Sequence, residues 1–396
     1  MVHTALPRPF ASASAAVLLS LLAAGPLVAQ EAYPHARLSL DPCSVEGVEG
    51  DLRCGTLRVL EDRDDPGGRR LALEVTVLPA TGDEPALDPV IYLAGGPGAA
   101  ATGLDAAFEN LPGLRRRRDV VLLDQRGTGG PNRLDCDLTW GGPEAAYTEA
   151  FLPVERVSGC RKQLASKAGL KQYTTPIAAD DLDALRWIMG YGEVNLWGDS
   201  YGTRAALVYL RRHGEHVRSV ILGGPDLSFV YGPVPFALAA EMALERLGGR
   251  CRRDAACRSR HFDLAAEVDT LLARLEQEPA PVRVAAPTGD TVSMEVGRHD
   301  AAEAFRYLMY DAGTAVRIPG LVERAMAGDV RPLASLALRI RAQLTGQVAD
   351  GMYLSVDCAE AVSRIGSGDL ARADAQSFLG GARARQRTRA CGEWPR

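Results

Sequence analysis

Gly198-Asp199-Ser200-Tyr201-Gly202 decides how this chain is read. The apolar run Val194–Trp197 precedes it, and a helical stretch over Arg204–Arg212 follows directly. G-x-S-x-G between an expected strand and an expected helix is a nucleophile elbow. The tight turn holds the serine in a strained backbone conformation, and Gly198 and Gly202 let neighbouring backbone approach where a Cβ would clash. A helix starting near Tyr201 points its N–H groups at an oxyanion developing beside the serine. Ser200 is therefore the candidate nucleophile.

Working outward, three further apolar runs end in glycine-rich turns. Pro89–Leu93 leads into Gly95-Gly96-Pro97-Gly98, Asp119–Asp124 into Gln125-Arg126-Gly127, and Val217–Leu222 into Gly223-Gly224-Pro225. Between them, Ala178–Met189 carries Leu182, Leu185 and Ile188 at helical spacing. Short apolar strands alternating with helices predict a mostly parallel sheet covered on both faces. Ligands bind such sheets beyond the carboxyl ends of the strands, where each glycine cluster sits. The second half of an oxyanion hole comes from the loop after an earlier strand. The expected donors are thus the backbone N–H groups of Gly96 and Tyr201.

Upstream, Thr56–Leu60 and Leu71–Leu78 flank Pro66-Gly67-Gly68 and predict a hairpin. From about Leu227 the texture turns helical, over Phe236–Leu247, Ala265–Leu275, Ala301–Tyr310, Ile318–Ala327 and Pro332–Leu344. Only Val282–Ala285 and Thr291–Val296 read as strands there. The expected organisation is a core over residues 30–226, a mainly helical cap over 227–390, and the start of a further core segment at 391–396.

The 396 residues carry 45 Lys+Arg against 50 Asp+Glu, a net charge of −5. That balance disfavours a basic nucleic-acid-binding protein. Only Lys162, Lys167 and Lys171 are lysines, a bias of composition rather than a phosphate site. Arg8 is the one charge in the first 29 residues; an apolar run over 15–24, Gly25-Pro26 and a small residue at Ala29 follow. That is the pattern of a secretory signal peptide at residues 1–29. The run is too short to span a hydrocarbon core of about 30 Å, so an exported protein, periplasmic or secreted and free of membrane after cleavage, is expected. An even eight cysteines in an exported chain favour disulfides over metal. Eight cysteines allow 105 pairings, which sequence alone does not fix; short loops suggest Cys43–Cys54, Cys136–Cys160 and Cys251–Cys257, which leaves Cys358–Cys391. No CxxC occurs and the histidines are scattered, so no metal site is expected.

Three motifs in order carry a resemblance: Gly95–Gly98, Asp124-Gln-Arg-Gly-Thr-Gly129 and Gly198-Asp-Ser-Tyr-Gly-Thr203. Together with Thr174-Thr175, the Ala179–Leu185 stretch and the pattern around Cys251, Cys257, Tyr310 and Cys358, the chain resembles the proline iminopeptidase and tripeptidyl aminopeptidase branch of the α/β-hydrolases over roughly residues 40–396. The resemblance implies an α/β-hydrolase sheet with an inserted helical cap. It implies removal of amino acids or short peptides from free N-termini by a Ser-Asp-His triad, with no cofactor. Ala94 departs from many relatives, which carry a histidine there. Asp124 and Arg126 read as a buried ion pair that fixes their loop, and Arg115–Arg118 as a solvated turn. Recognition of the substrate amine in such enzymes uses cap carboxylates; Glu241 or Glu245 could serve, although helix-surface charge explains either.

A serine hydroxyl needs a general base, and the base an orienting acid. His213 and His216 lie on or just after the helix that follows the elbow, facing away. His261 falls in a cysteine- and arginine-rich segment, and His299 precedes a helix as a cap or surface residue. No apolar strand with an acidic loop follows Cys358. In the resembled family a Cys-x-x-Trp segment like Cys391-Gly-Glu-Trp394 precedes the strand that presents the aspartate. The expectation is a chain lacking the last core strands and the triad Asp and His, with Ser200 retained. The functional expectation is an exported serine hydrolase of aminopeptidase type acting on peptides. The alternatives are an esterase or amidase of small molecules and a catalytically dead fragment or binding protein.

Overall fold

The computed structural model describes residues 32–396 except 105–107, 109, 110, 112, 137, 139–151, 229–231, 287, 288 and 345. The signal-sequence expectation at residues 1–29 lies outside the described residues. His35–Arg396 form one compact unit.

Seven strands make its main sheet: β1 (Arg37–Cys43), β2 (Leu52–Leu60), β3 (Arg70–Leu78), β4 (Val90–Leu93), β5 (Val120–Leu123), β6 (Val194–Asp199) and β7 (Val217–Gly223). Their order is β1-β2-β3-β5-β4-β6-β7. The expected hairpin is β2–β3, antiparallel with Leu60 opposite Arg70. β4 pairs in parallel with β5 and β6, and β6 with β7. Every residue of β4 and β5 is buried, which is why Val90–Leu93 and Val120–Leu123 read as continuous apolar runs. β7 is an edge strand among the described residues, and its Ile221 is half exposed.

The chain steps from β4 to β5 on one side and to β6 on the other. The crevice between β4 and β6 is thus a switch point, where loops from two strand ends part and leave room for a ligand. Leu93 pairs with Gly198 there, so the glycine turn after β4 and the elbow after β6 are neighbours.

Helices α1 (Val154–Ala165), α2 (Thr175–Ile188) and α3 (Tyr201–His213) belong to the sheet layer; α3 packs over β4, β6 and β7 and against α2. Among the described residues, the helices of seven residues or more that follow are α4 (Pro235–Arg253), α5 (Leu264–Gln277), α6 (Arg298–Leu308), α7 (Ile318–Met326), α8 (Arg331–Leu344), α9 (Asp350–Val356), α10 (Asp369–Gln376) and α11 (Ala382–Gly392). An antiparallel hairpin, β8 (Ala280–Ala285) with β9 (Thr291–Val296), sits between α5 and α6. No strand follows Val296 among the described residues.

The helical region has its own core. On α5, Leu264, Val268, Leu271, Leu272 and Leu275 fall on one face and are buried with Leu244, Phe305, Val322 and Leu338. Asp263 caps that helix by accepting from the Ala266 N–H. A separate cluster under the sheet joins Leu52, Leu78, Val90, Tyr92, Phe108, Val120 and Leu122. All eight cysteines are paired, as Cys43–Cys54, Cys136–Cys160, Cys251–Cys257 and Cys358–Cys391. No helix among the described residues is long and apolar enough to cross a membrane.

Two charged segments differ from the sequence reading. Asp124 and Arg126 are both buried but do not pair with each other. Arg126 donates to Asp181 on α2 at 2.7 and 2.9 Å and to the carbonyl oxygens of Leu60, Glu61 and Gln172. Asp124 instead accepts from the N–H groups of Ala101 and Thr102 and from the Thr102 hydroxyl. Both residues lie beyond the last residue of β5, Leu123, where the chain has left the strand, so each takes the partners its loop position brings: the 101–102 backbone for Asp124, and α2 with the end of β2 for Arg126. Arg115 is buried rather than solvated: its guanidinium donates to the Pro79 carbonyl just after β3 and to the Glu49 carbonyl before β2.

Arg126 therefore ties the end of β2, the turn at Gln172 and α2 to the loop after β5. Arg126→Met is expected to cost about 3–5 kcal/mol, since Asp181 and three carbonyls lose a buried donor. Urea unfolding measures it; a loss below about 1 kcal/mol would show that these segments hold together without the guanidinium.

Candidate active site

Ser200 has φ 54° and ψ −121°, and is the one non-glycine with positive φ among the described residues. The strain is held in place by packing on both sides. A Cβ on Gly202 would overlap the Leu93 carbonyl at the end of β4, and one on Gly198 would overlap the Gly202 backbone. The Ser200 N–H donates to the Gly223 carbonyl at 2.8 Å, which ties the turn to β7. Thr203 donates from its N–H and its hydroxyl to the Ser200 carbonyl, while its hydroxyl oxygen accepts from the Asp226 N–H.

The glycine turn after β4 lies against this elbow. A Cβ on Gly95 would stand 3.2 Å from the Ser200 Cβ, and Gly96 lines the same cavity as Ser200. The Gly96–Pro97 peptide bond is cis. The structure thus brings together Ser200, Gly96 and the start of α3 at Tyr201. The Tyr201 hydroxyl is turned away into a buried network with Thr175 and Gln125.

The cavity is about 110 Å³. Pro97, Phe236 and Tyr310 supply apolar walls, and seven charged side chains line the remainder: Arg204, Asp226, Glu303, Arg306, Asp357, Arg383 and Arg387. Arg204 is buried, bonded to Asp226 at 2.6 Å and to Ser228, with Glu360 at 3.4 Å. Glu360 also accepts from the N–H and the hydroxyl of Thr175 at the start of α2. Glu303 on α6 takes Arg306 at 2.8 Å and Arg383 at 3.1 Å. Burial alone would raise the Glu303 carboxyl, but Arg383, Arg306 and His299 outweigh it and hold it at about 2.

These residues, Glu303 foremost, were not singled out from sequence. Glu241 and Glu245 do not line the cavity; Glu241 accepts from the Phe378 N–H at 2.8 Å, and Glu245 is exposed. The disulfide cysteine Cys358 was the available signal, since Asp357 and Glu360 flank it.

None of the described histidines lines the cavity. His213 is engaged by Asp180 at 2.9 Å and His261 by Glu267 at 2.6 Å, while His216 lies 3.7 Å from Glu215. His299 is exposed at the start of α6, one turn from Glu303. No group of three or more His, Cys, Asp or Glu side chains among the described residues is placed to hold a metal. The arrangement presents a serine oxygen, a turn rich in backbone N–H groups and a charged, narrow cavity.

The alpha/beta hydrolase fold family matches residues 88–282. The chain is 30% identical over 230 residues to the serine protease Hip1 of Mycobacterium tuberculosis, covering 53% of this chain and 43% of that protein. It is 27% identical over 218 residues to the tripeptidyl aminopeptidase of Streptomyces lividans, covering 50% and 40%. Over 225 residues it is 32% identical to carboxylesterase B of M. tuberculosis, covering 52% and 42%. The chain thus spans less than half the length of the curated relatives it matches.

Two measurements probe this geometry. Glycine relieves the positive φ that any Cβ strains, so Ser200→Gly is expected to be more stable than Ser200→Ala by about 1 kcal/mol or more; equal unfolding midpoints would remove the strain from the elbow. The Glu303 carboxyl is held below its ordinary value in the folded state, so its ion pairs stabilise the protein above about pH 4.5 and are lost as pH falls toward 2. In Glu303→Gln, the decline of thermal midpoint over that window should be visibly shallower than in the parent chain.

Proposed function

With the α/β-hydrolase fold and a match to that family over residues 88–282, this chain is, we propose, an exported serine hydrolase that cleaves peptides through an acyl-enzyme on Ser200. The observation that carries the reading is the strained Ser200 at the mouth of β6, sharing a cavity with Gly96 at the start of a helix. In the reaction, the Ser200 Oγ attacks the scissile carbonyl carbon and the C–N bond breaks. The hydroxyl proton passes by way of a general base to the leaving amine, and water later hydrolyses the ester. The backbone N–H groups of Gly96 and Tyr201 are the proposed oxyanion donors, and the positive end of α3 strengthens them.

Peptides are favoured over simple esters by the similarity to a serine protease and a tripeptidyl aminopeptidase. The similarity to a carboxylesterase keeps small esters as the second reading. Export is supported by four disulfides and by the apolar N-terminal sequence ending at Ala29.

No described histidine lines the cavity, so proton transfer from Ser200 lacks its usual partner there. The 396-residue chain alone is expected to turn over aminoacyl and tripeptidyl anilides on the order of thousands of times slower than a relative with a full triad. A fluorophosphonate should label Ser200 slowly, at a rate reduced along with turnover, the adduct being identified by peptide mass spectrometry and absent in Ser200→Ala. Labelling that survives this substitution would overturn the assignment of the nucleophile. Faster cleavage of nitrophenyl esters than of anilides, beyond their chemical difference in reactivity, would favour the esterase reading.

A further inference from the structure

One charge pair in the Ser200 cavity differs from its neighbours. Arg204 and Arg306 each meet a carboxylate at 2.6–2.8 Å, and Arg383 meets Glu303 at 3.1 Å. Arg387 on α11 and Asp357 just after α9 come no closer than 3.5 Å, between Nη1 and Oδ1. Asp357 is 3% exposed and Arg387 8%, and both line the cavity. The Asp357 Oδ2 and the Arg387 Nε are buried without a hydrogen-bond partner among the described residues. Buried charged groups left in that state lose the water they would otherwise hold, which costs stability unless a ligand replaces it.

The pair is held by construction. Asp357 opens a five-residue π-helical turn, Asp357–Ala361, that continues α9. Such turns recur at functional sites because they displace a side chain from the regular helical path. The next residue, Cys358, is cross-linked to Cys391, one turn beyond Arg387 on α11. The Arg387 guanidinium also lies over the Tyr353 ring at 5.5 Å. The disulfide fixes the spacing of the two backbone segments that carry the pair.

Resting on the reading of this cavity as a peptide site, we propose that Asp357 and Arg387 form a specificity subsite for a primary carboxamide, the side chain of glutamine or asparagine. A carboxamide offers an acceptor oxygen and a donor N–H₂ on one edge, matching a guanidinium N–H beside a carboxylate oxygen. Charge decides against the ionic alternatives. An ammonium would take Asp357 and strand Arg387, and a carboxylate would take Arg387 and strand Asp357, each leaving a buried charge short of its counter-ion. A neutral carboxamide satisfies both and leaves the balance unchanged.

The test uses the full chain carrying Ser200→Ala, so that binding is measured without turnover. Tripeptides with a common Ala background and Gln, Glu, Lys or Met at each position in turn are titrated calorimetrically. The expected result is that, at one position, the Gln peptide binds at least tenfold tighter than its Glu, Lys and Met counterparts. Asp357→Asn should reverse the order at that position, making Glu the tightest, because Arg387 then lacks its nearest carboxylate. Circular dichroism shows whether the variant is folded, and the comparison in the parent background stands without it.

Equal binding of Gln and Met at every position would overturn the proposal, as would a preference for Glu or Lys in the parent background. No measurable binding of any Gln peptide at millimolar concentration would overturn it as well. Fluorophosphonate labelling reports on Ser200 separately: a Gln preference without labelling would sink the hydrolase reading and leave the subsite, and labelling without a Gln preference the reverse.

Discussion

The close approach of α3 to the end of β4 is the constraint on which the site depends. Gly202 sits against the Leu93 carbonyl and Gly198 against Gly202, with no space for a side chain at either. This contact lets a helix start immediately after a buried strand. The connecting residue must then turn within one position, and Ser200 takes the positive φ that results. The Gly223 carbonyl and Thr203 hold that residue from the other side. Packing therefore stores the strain, and the serine oxygen is presented at the strand end rather than buried beneath it.

Around the elbow, buried arginines connect segments far apart in sequence. Arg126 joins β2, the Gln172 turn and α2. Arg204 joins α3 to the loop after β7 and, through Glu360, to the C-terminal helices. Glu303 joins α6 to α11 through Arg383. A guanidinium suits this role because its five donors can serve several carbonyls and carboxylates at once while the charge stays paired. The arginine-rich composition, silent on function by itself, becomes part of how the cavity wall is assembled.

The helical region divides into two parts by what it does. α5 and the β8–β9 hairpin bury a core of their own with parts of α4, α6, α7 and α8. The segment from α9 to α11 instead reaches back to the elbow, where Ala349 donates to the Gly98 carbonyl and Glu360 accepts from Thr175. Trp394, close to the end of the chain, is buried and donates to Ser355 on α9. The cavity lies where these long-range contacts converge, so residues from six separate stretches of sequence line it.

Much of the sheet and the nucleophile was legible from sequence for local reasons. Val90–Leu93 and Val120–Leu123 are buried on both faces and so read as unbroken apolar runs, and the Gly-x-Ser-x-Gly spacing is itself the record of a backbone contact. The cysteine pairing was only suggested by short loops, since sequence leaves 105 pairings open and the fold decides which thiols meet. The charged partners were not legible. Asp124 and Arg126, two residues apart, take different partners: Asp124 holds the 101–102 backbone, and Arg126 finds Asp181 instead. Glu303, Asp357 and Arg387 look like ordinary helix charges until the fold carries them beside Ser200. Backbone conformation at a tight turn is written in the few residues that make it. Which charges share a low-dielectric cavity depends on distances between segments a hundred or more residues apart, and those exist only once the chain has folded.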